Sequence, residues 1–392
     1  MSLSMRSNTN FRLRRLSWIG ALCVGFTLGA FVMPESAIAG DWNANFSTLS
    51  SAAYNDNPSL ATENAKGRMD FTINRSVDGE YAKDRYRVAI VGRANVVASK
   101  DEIAKSVFAA DQVRYNLDVD GAYDYDTSVI SAAFGLGFDT VQNTEFEDTG
   151  NLTSDVTRTN TNLSLSYSGQ ITELWSVNIS DNYSSATYSG GDFTGYSSNS
   201  VNVGLSNTFS DRLTISPSFG FSRYMPDSDI TSPSNTISLK IGGEYQLSEI
   251  DILSASLGLV QTGDTLGTSA QLSYSQEVLE RLTVNANVTR NHTASGSGSV
   301  QQSTGFGGGA SYQLFEMTQV GFNASYRTSS SVGASGSAVT TQLSLDPSIN
   351  WTLSEKWSAG LNLQSRQQKQ PVGGTASSRS VTFALNYNLP LE

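Results

Sequence analysis

Apolar and polar residues alternate strictly along most of this chain. In GRMDFTIN, Met69, Phe71 and Ile73 alternate with Arg68, Asp70, Thr72 and Asn74. In VRYNLDVDGAY, Val113, Tyr115, Leu117, Val119 and Tyr123 alternate with Arg114, Asn116, Asp118 and Asp120. A period of two sorts the two sets onto opposite faces of a β-strand. The same register returns in NLSLSYS, VNVGL, ISLKIGGEYQL, LTVNANVT, QVGFNASYR and VTFALNYNL. It predicts strands near 42–49, 67–74, 84–95, 112–123, 128–138, 160–168, 175–183, 201–209, 213–223, 236–247, 252–260, 269–277, 282–290, 306–314, 318–327, 340–352, 357–365 and 379–389. One or two could be misassigned, so the expectation is an antiparallel all-β fold of about 16–18 strands.

Between the strands, tight acidic junctions alternate with long polar ones. The tight ones fall at Thr172-Glu173-Leu174, Ser210-Asp211-Arg212, Ser248-Glu249-Ile250, Leu279-Glu280-Arg281, Phe315-Glu316-Met317 and Ser354-Glu355-Lys356. Their acids are 38, 38, 31, 36 and 39 residues apart, enough for two membrane-spanning strands and one longer loop per repeat. Two architectures produce a one-sided apolar strand. A soluble sandwich turns that face inward and guards its edges with proline, charge and bulges, whereas a transmembrane barrel turns it toward lipid. Tight turns at one end and long loops at the other favour the barrel, as do Trp175, Phe209, Tyr245, Tyr312, Trp351 and Trp357, with Leu213, beside the turns where an interfacial girdle falls. The expected fold is therefore a closed antiparallel transmembrane β-barrel in the outer membrane.

The N-terminus fits that destination. Arg6, Arg12, Arg14 and Arg15 precede the apolar run LSWIGALCVGFTLGAFVM and then PESAIAG, which predicts a secretory signal over 1–39 cleaved after Ala39, with the barrel over 40–392. A retained membrane anchor is opposed by Pro34 and the small-x-small site behind the run. Cys23, the only cysteine, lies in that run, so the mature chain has no thiol for disulfides or thiolate metal sites. The chain holds 25 Lys and Arg against 36 Asp and Glu; residues 1–39 take four Arg and one Glu, leaving 21 against 35, a formal −14. No basic patch remains for nucleic acid.

The turns flanked by alternating Leu/Ser strands, in YSGQITELWSVNISDNYSSATYSG, LSNTFSDRLTISPSFGFSRY and EYQLSEIDILSASLGL, together with YNDNPSL near the mature N-terminus, resemble a family of poorly characterised Gram-negative outer-membrane β-barrels associated with exopolysaccharide production and PEP-CTERM protein sorting. The resemblance covers most of the mature chain and implies a location and an architecture. It carries no motif of functional residues. The chain ends NYNLPLE where many such barrels end on an aromatic, so Tyr387 and Leu389 are the candidates for a displaced signal to the barrel-assembly machinery.

Little in the chain reads as chemistry. His292, the only histidine, begins a loop beside Ser295 and Ser297, but no orienting partner for a catalytic set is legible, and a solvated loop histidine is the expectation. FGGGAS around Gly307–Gly309 lacks the lysine and helix of a phosphate loop and reads as strand with close backbone approach. Asp139, Glu145, Glu147, Asp148 and Asp155 match no calcium-loop spacing and read as a solvated acidic loop. No catalytic residue, cofactor or metal site is expected, and the chain is not expected to be an enzyme.

The charges of the polar face are more telling. Arg68, Asp70, Arg85, Arg87, Arg93, Arg114, Asp118 and Asp120 gather on the second to fourth strands, while Lys240, Glu244, Arg327 and Arg366 are scattered elsewhere. A charge facing lipid costs about 2–4 kcal/mol at mid-depth, so these are expected to line the lumen. Two readings stay open: a constriction that orients solutes, or an ion-pair network bracing the wall. The expected function is a porin-like passive channel for small hydrophilic solutes or glycans, narrowed by the loop around 139–158. The alternative is a non-conducting structural or assembly component of an exopolysaccharide or surface-protein export system. Expected partners are membrane lipid, the assembly machinery, and polysaccharide or envelope proteins.

Overall fold

In a computed structural model, residues 41–58, 60–101, 109–140, 156–189, 193–227, 232–294, 300–332, 339–370 and 374–391 are described. The segment 1–39 lies outside them.

Eighteen strands form one sheet. They are β1 (Asp41–Asn55), β2 (Arg68–Lys83), β3 (Tyr86–Asp101), β4 (Ala109–Asp124), β5 (Ser128–Thr140), β6 (Thr157–Gln170), β7 (Trp175–Ser189), β8 (Tyr196–Ser210) and β9 (Leu213–Pro226). The second half runs β10 (Ser234–Ser248), β11 (Asp251–Thr262), β12 (Thr265–Leu279), β13 (Leu282–Ala294), β14 (Val300–Phe315), β15 (Thr318–Ser331), β16 (Thr340–Thr352), β17 (Trp357–Gln370) and β18 (Gly374–Leu391). Each strand pairs antiparallel with the next, and β18 pairs antiparallel with β1 from Ala44↔Leu391 to Asn55↔Ser380. The sheet is closed, so no edge is left to aggregate or to meet lipid with unpaired backbone. The strand number is the upper end of the expected range, and every predicted strand overlaps an observed one, with only 67–74 and 84–95 starting one and two residues too early.

The observed strands outrun the predicted ones, most of all β2, which continues from the expected end near 74 to Lys83. The prediction stopped where charge interrupts the apolar series at Arg75. In a barrel wall the backbone pairing continues regardless, because β1 and β3 satisfy it along the whole length.

Eight connections form one end of the barrel: 84–85, 125–127, 171–174, 211–212, 249–250, 280–281, 316–317 and 353–356. Both described chain ends emerge there too, which makes it the periplasmic end. Its turn chemistry is local. Ser210 Oγ accepts from the backbone N–H groups of Arg212 (3.4 Å) and Leu213 (3.2 Å), and Ser354 Oγ does the same for Lys356 and Trp357. Thr172 and Ser248 cap their own turns likewise. In four of the six acidic turns the hydroxyl before the acid is thus the structural element, and the acid itself stays in water. Register shifts directly precede several of these turns, at Thr208/Ser210, Gln246/Ser248, Glu277/Leu279 and Gln313/Phe315.

The wall has almost no conventional core. Large apolar side chains such as Leu239 (58% exposed), Ile241 (59%) and Leu257 (66%) stand on the outer face, which therefore needs lipid to cover it. Cross-strand aromatic pairs ring its periplasmic side: Trp42–Tyr81 at 4.9 Å, Tyr86–Tyr123 at 4.8 Å and Trp357–Tyr387 at 4.8 Å between ring centroids. The last pair puts Tyr387 in the girdle rather than at a free terminus. Gly307 lies in β14, where a Cβ would stand 2.5 Å from Asn287 Oδ1; the triple glycine serves close approach, as expected.

Candidate functional site: the lumen and its outer mouth

The pairing registers place the polar face inward. Seven of the eight expected charges lie on it: Arg68 and Asp70 on β2, Arg87 and Arg93 on β3, and Arg114, Asp118 and Asp120 on β4. Arg85 does not. It sits in the 84–85 turn and pairs at 2.6 Å with Asp126 of the neighbouring 125–127 turn, because β3 starts two residues later than the alternation implied. The longer β2 adds two carboxylates to the same face that the sequence reading passed over, Asp78 and Glu80.

The strip is part brace and part open charge. Arg68 Nε lies 2.9 Å from Asp70 Oδ1 near the outer end, and Arg93 reaches Asp118 at 3.5 Å across β3 and β4. Asp118 also accepts from Asn116 Nδ2. Toward the periplasmic mouth, Arg87 and Asp120 are exposed and belong to none of the ion pairs among the described residues. On the other walls Glu244 accepts weakly from Ser254 Oγ (3.5 Å), and Lys240 and Arg327 are exposed to the lumen. Asn285, Asn287, Asn323 and Ser325 are exposed there as well, so the middle and lower lumen presents solvated polar groups.

The outer mouth differs. The buried non-glycine side chains of the protein concentrate at the outer ends of the strands, on the lumen face: Val97, Ala186, Tyr224, Val260, Ser344 and Gln368 among them. Two clusters account for much of this. In the first, segment 56–67 between β1 and β2 turns onto β18. Asn57, 4% exposed, donates from Nδ2 to the carbonyls of Ala61 (2.9 Å) and Ser377 (2.8 Å), while its Oδ1 accepts from the Ala61 N–H. Asp56 Oδ1 accepts from the Arg379 N–H at 2.6 Å, and Asn55 Oδ1 accepts from the Asn57 N–H and the Ser378 hydroxyl. These bonds hold Leu60 in the left-handed region, φ 46°, with its side chain buried beside Ala376. A buried leucine in that region is strained, and the network around Asn57 over-determines it.

In the second cluster, Arg158 on β6, 9% exposed, reaches Asp139 on β5 at 3.2 Å. Arg158 stands opposite Tyr188 in the β6–β7 register, Tyr188 stacks on Phe193 at 5.1 Å, and Tyr196 lies 5.3 Å from the buried Tyr224. Neither cluster was recognised as a unit in the sequence. YNDNPSL carried a signal, since two asparagines and an aspartate around a proline are turn formers with free acceptors. Asp139 and Arg158 are 19 residues apart and meet only through strand pairing.

Other candidates fall apart or fall outside. His292 stands at the outer end of β13, bonded to Gln302, while Ser295 and Ser297 lie outside the described residues. The narrowing loop expected around 139–158 lies mostly outside them too, including Glu145, Glu147, Asp148 and Asp155. Among the described residues, no group of three His, Cys, Asp or Glu is placed to hold a metal ion.

An antiparallel closed wall, apolar outside, polar and charged inside, with tight turns at one end and an aromatic girdle beside them, defines a β-barrel of the bacterial outer membrane. Solved structures agree on the fold. The chain is similar to OccK7 (OpdD) of Pseudomonas aeruginosa, with TM-score 0.53, 10% identity, and coverage of 90% of this chain and 100% of that one. It is also similar to OpdQ of the same organism (0.52, 8%, 90% and 100%) and to OpdK solved with vanillate (0.51, 10%, 90% and 99%). No protein-family model and no curated protein matches the sequence.

Proposed function

We propose that this protein is a porin-like passive channel for small hydrophilic solutes or glycans, with its size filter at the outer mouth. The observation that carries the reading is the contrast along the lumen: solvated Asn, Ser and charged side chains below, buried side chains above, with Asn57 and Leu60 packed against β18. A solute arriving from outside meets the mouth first and the charged β2–β4 strip afterwards. That strip orients dipolar solutes rather than selecting one sign, since Arg87 and Arg93 alternate with Asp78, Glu80 and Asp120 over its length. No catalytic step belongs to this reading.

The burial at the mouth also favours a second reading, a barrel that does not conduct and serves an exopolysaccharide or surface-protein export system as a structural part. Conductance separates the two. Refolded protein in planar bilayers is expected to show discrete ion-conducting steps, with larger steps when 57–66 is replaced by a short Gly-Ser turn. A folded protein that conducts in neither form leaves only the structural role.

A further inference from the structure

Among the described residues, Arg75 and Asp181 stand on the lipid-facing wall at mid-height with opposite charge. Arg75 on β2 shares its face with Met69, Phe71, Ile73 and Val77, opposite Thr48 on β1 and Ala94 on β3, and neither pairing contains a bulge. It is exposed and takes part in none of the ion pairs among the described residues. Asp181 on β7 stands between Leu165 and Val201, both outward-facing, and accepts from Asn199 Nδ2 at 3.1 Å. Each is six residues along its strand from a girdle aromatic, Tyr81 and Trp175. At about 3.3 Å per residue and a tilt near 40°, both lie about 15 Å above the girdle, inside the apolar band of about 25 Å.

An arginine exposed to hydrocarbon at that depth is costly, and intramembrane ionisable groups usually have a partner. These two are complementary in charge, and small side chains on the strands beside Arg75 leave its guanidinium open to a partner. Arg75 is flanked by small residues, Thr48, Ser50, Gly92 and Ala94, and a Cβ added at Gly92 would meet nothing within 4 Å. Asp181 is flanked by Leu165, Ile179 and Tyr183, which are 49%, 42% and 38% exposed.

We propose that copies of this chain associate side by side in the membrane, the β1–β3 face of one against the β6–β8 face of the next, with Arg75 paired to Asp181 of the partner subunit. The contact is heterologous, since each copy offers the cation on one face and the anion on another. The two faces are five strands of eighteen apart, about 100° around the wall, so successive contacts curve into a small closed ring of about four to five copies. The inference is independent of whether the lumen conducts.

Val77 and Ile179 flank the two charges on the periplasmic side of each and lie at matched depth. A variant carrying both Val77→Cys and Ile179→Cys, refolded into phosphatidylcholine vesicles and oxidised, is expected to give a covalent ladder. A control with Phe322→Cys on β15 in place of Ile179→Cys is expected to give none. Arg75→Asp or Asp181→Arg alone should reduce the ladder at least tenfold, and the two swaps together should restore it. Heat-modifiable electrophoretic mobility checks that each variant folds. Wild-type protein that is monomeric by native mass spectrometry from vesicles overturns the proposal, as does a ladder indifferent to the single swaps. So does failure of the double swap to restore it in folded protein. If Arg75→Leu stabilises the barrel and leaves the oligomeric state unchanged, the arginine faces lipid and the interface does not exist.

Discussion

The two ends of this barrel are built on different principles. At the periplasmic end the side-chain contacts are mostly local: in four of the eight short connections a Ser or Thr hydroxyl accepts from N–H groups two or three residues on, and each connection adds one backbone bond to the next hairpin. At the outer end the stabilising contacts join residues distant in sequence. Asn57 bonds to Ser377, Asp56 to Arg379, and Arg158 to Asp139. The difference teaches where variation can be tolerated. A capping hydroxyl of a turn can be altered with little effect beyond that turn, whereas at the mouth a change reaches across the β1–β18 closure or across the β5–β9 wall.

That contrast can be broken most visibly by removing the mouth's inward segment. Replacing 57–66 by a short Gly-Ser turn is expected to raise single-channel conductance several-fold while leaving the far-ultraviolet circular dichroism of the barrel unchanged. An equal conductance would place the narrowest point elsewhere. Next in size, Arg158→Met leaves the largely buried Asp139 carboxylate without its partner, and denaturant unfolding in lipid should show a loss of roughly 1–3 kcal/mol. Asn57→Ala removes one acceptor and two donated bonds, and releases the strain at Leu60; hydrogen exchange at Ala61 and Arg379 should speed by at least tenfold, with global stability lowered by about 1 kcal/mol. At the other end, Ser354→Ala should cost about 0.5–1 kcal/mol and leave exchange at the outer mouth untouched. The smallest expected effect is Asp120→Asn, in the solvated lower lumen, which should shift the reversal potential in a salt gradient toward anions by a few millivolts without a change in stability.

Much of the fold was legible because its rule is local. The alternation in GRMDFTIN or VTFALNYNL needs only the pleat to sort it into two faces, and the acidic turns mark the hairpins by residue type alone. Legibility failed where a charge fell on the wrong parity. Arg75 ended the predicted strand at 74, which hid Asp78 and Glu80 on the lumen face; Arg85 entered the expected strip separately, because the next strand was expected from 84 and starts at Tyr86. The pattern contained the information, since Arg75 follows Met69, Phe71 and Ile73 in step, but a cation in an apolar series reads as an ending when the series is the only criterion.

By itself the sequence determined the class of fold, the number and order of the strands to within two, and which face of nearly every strand meets lipid. Each of these follows from the period of two and from the cost of placing polar groups in hydrocarbon, both properties of short segments. Only the tertiary structure decided which residues meet across the wall. Barrel closure brings Asn57 to Ser377, and strand register brings Asp139 to Arg158 and sets Arg75 and Asp181 at one depth on different flanks. Those distances depend on the cumulative stagger of eighteen paired strands, a sum over the whole ring that no single segment encodes.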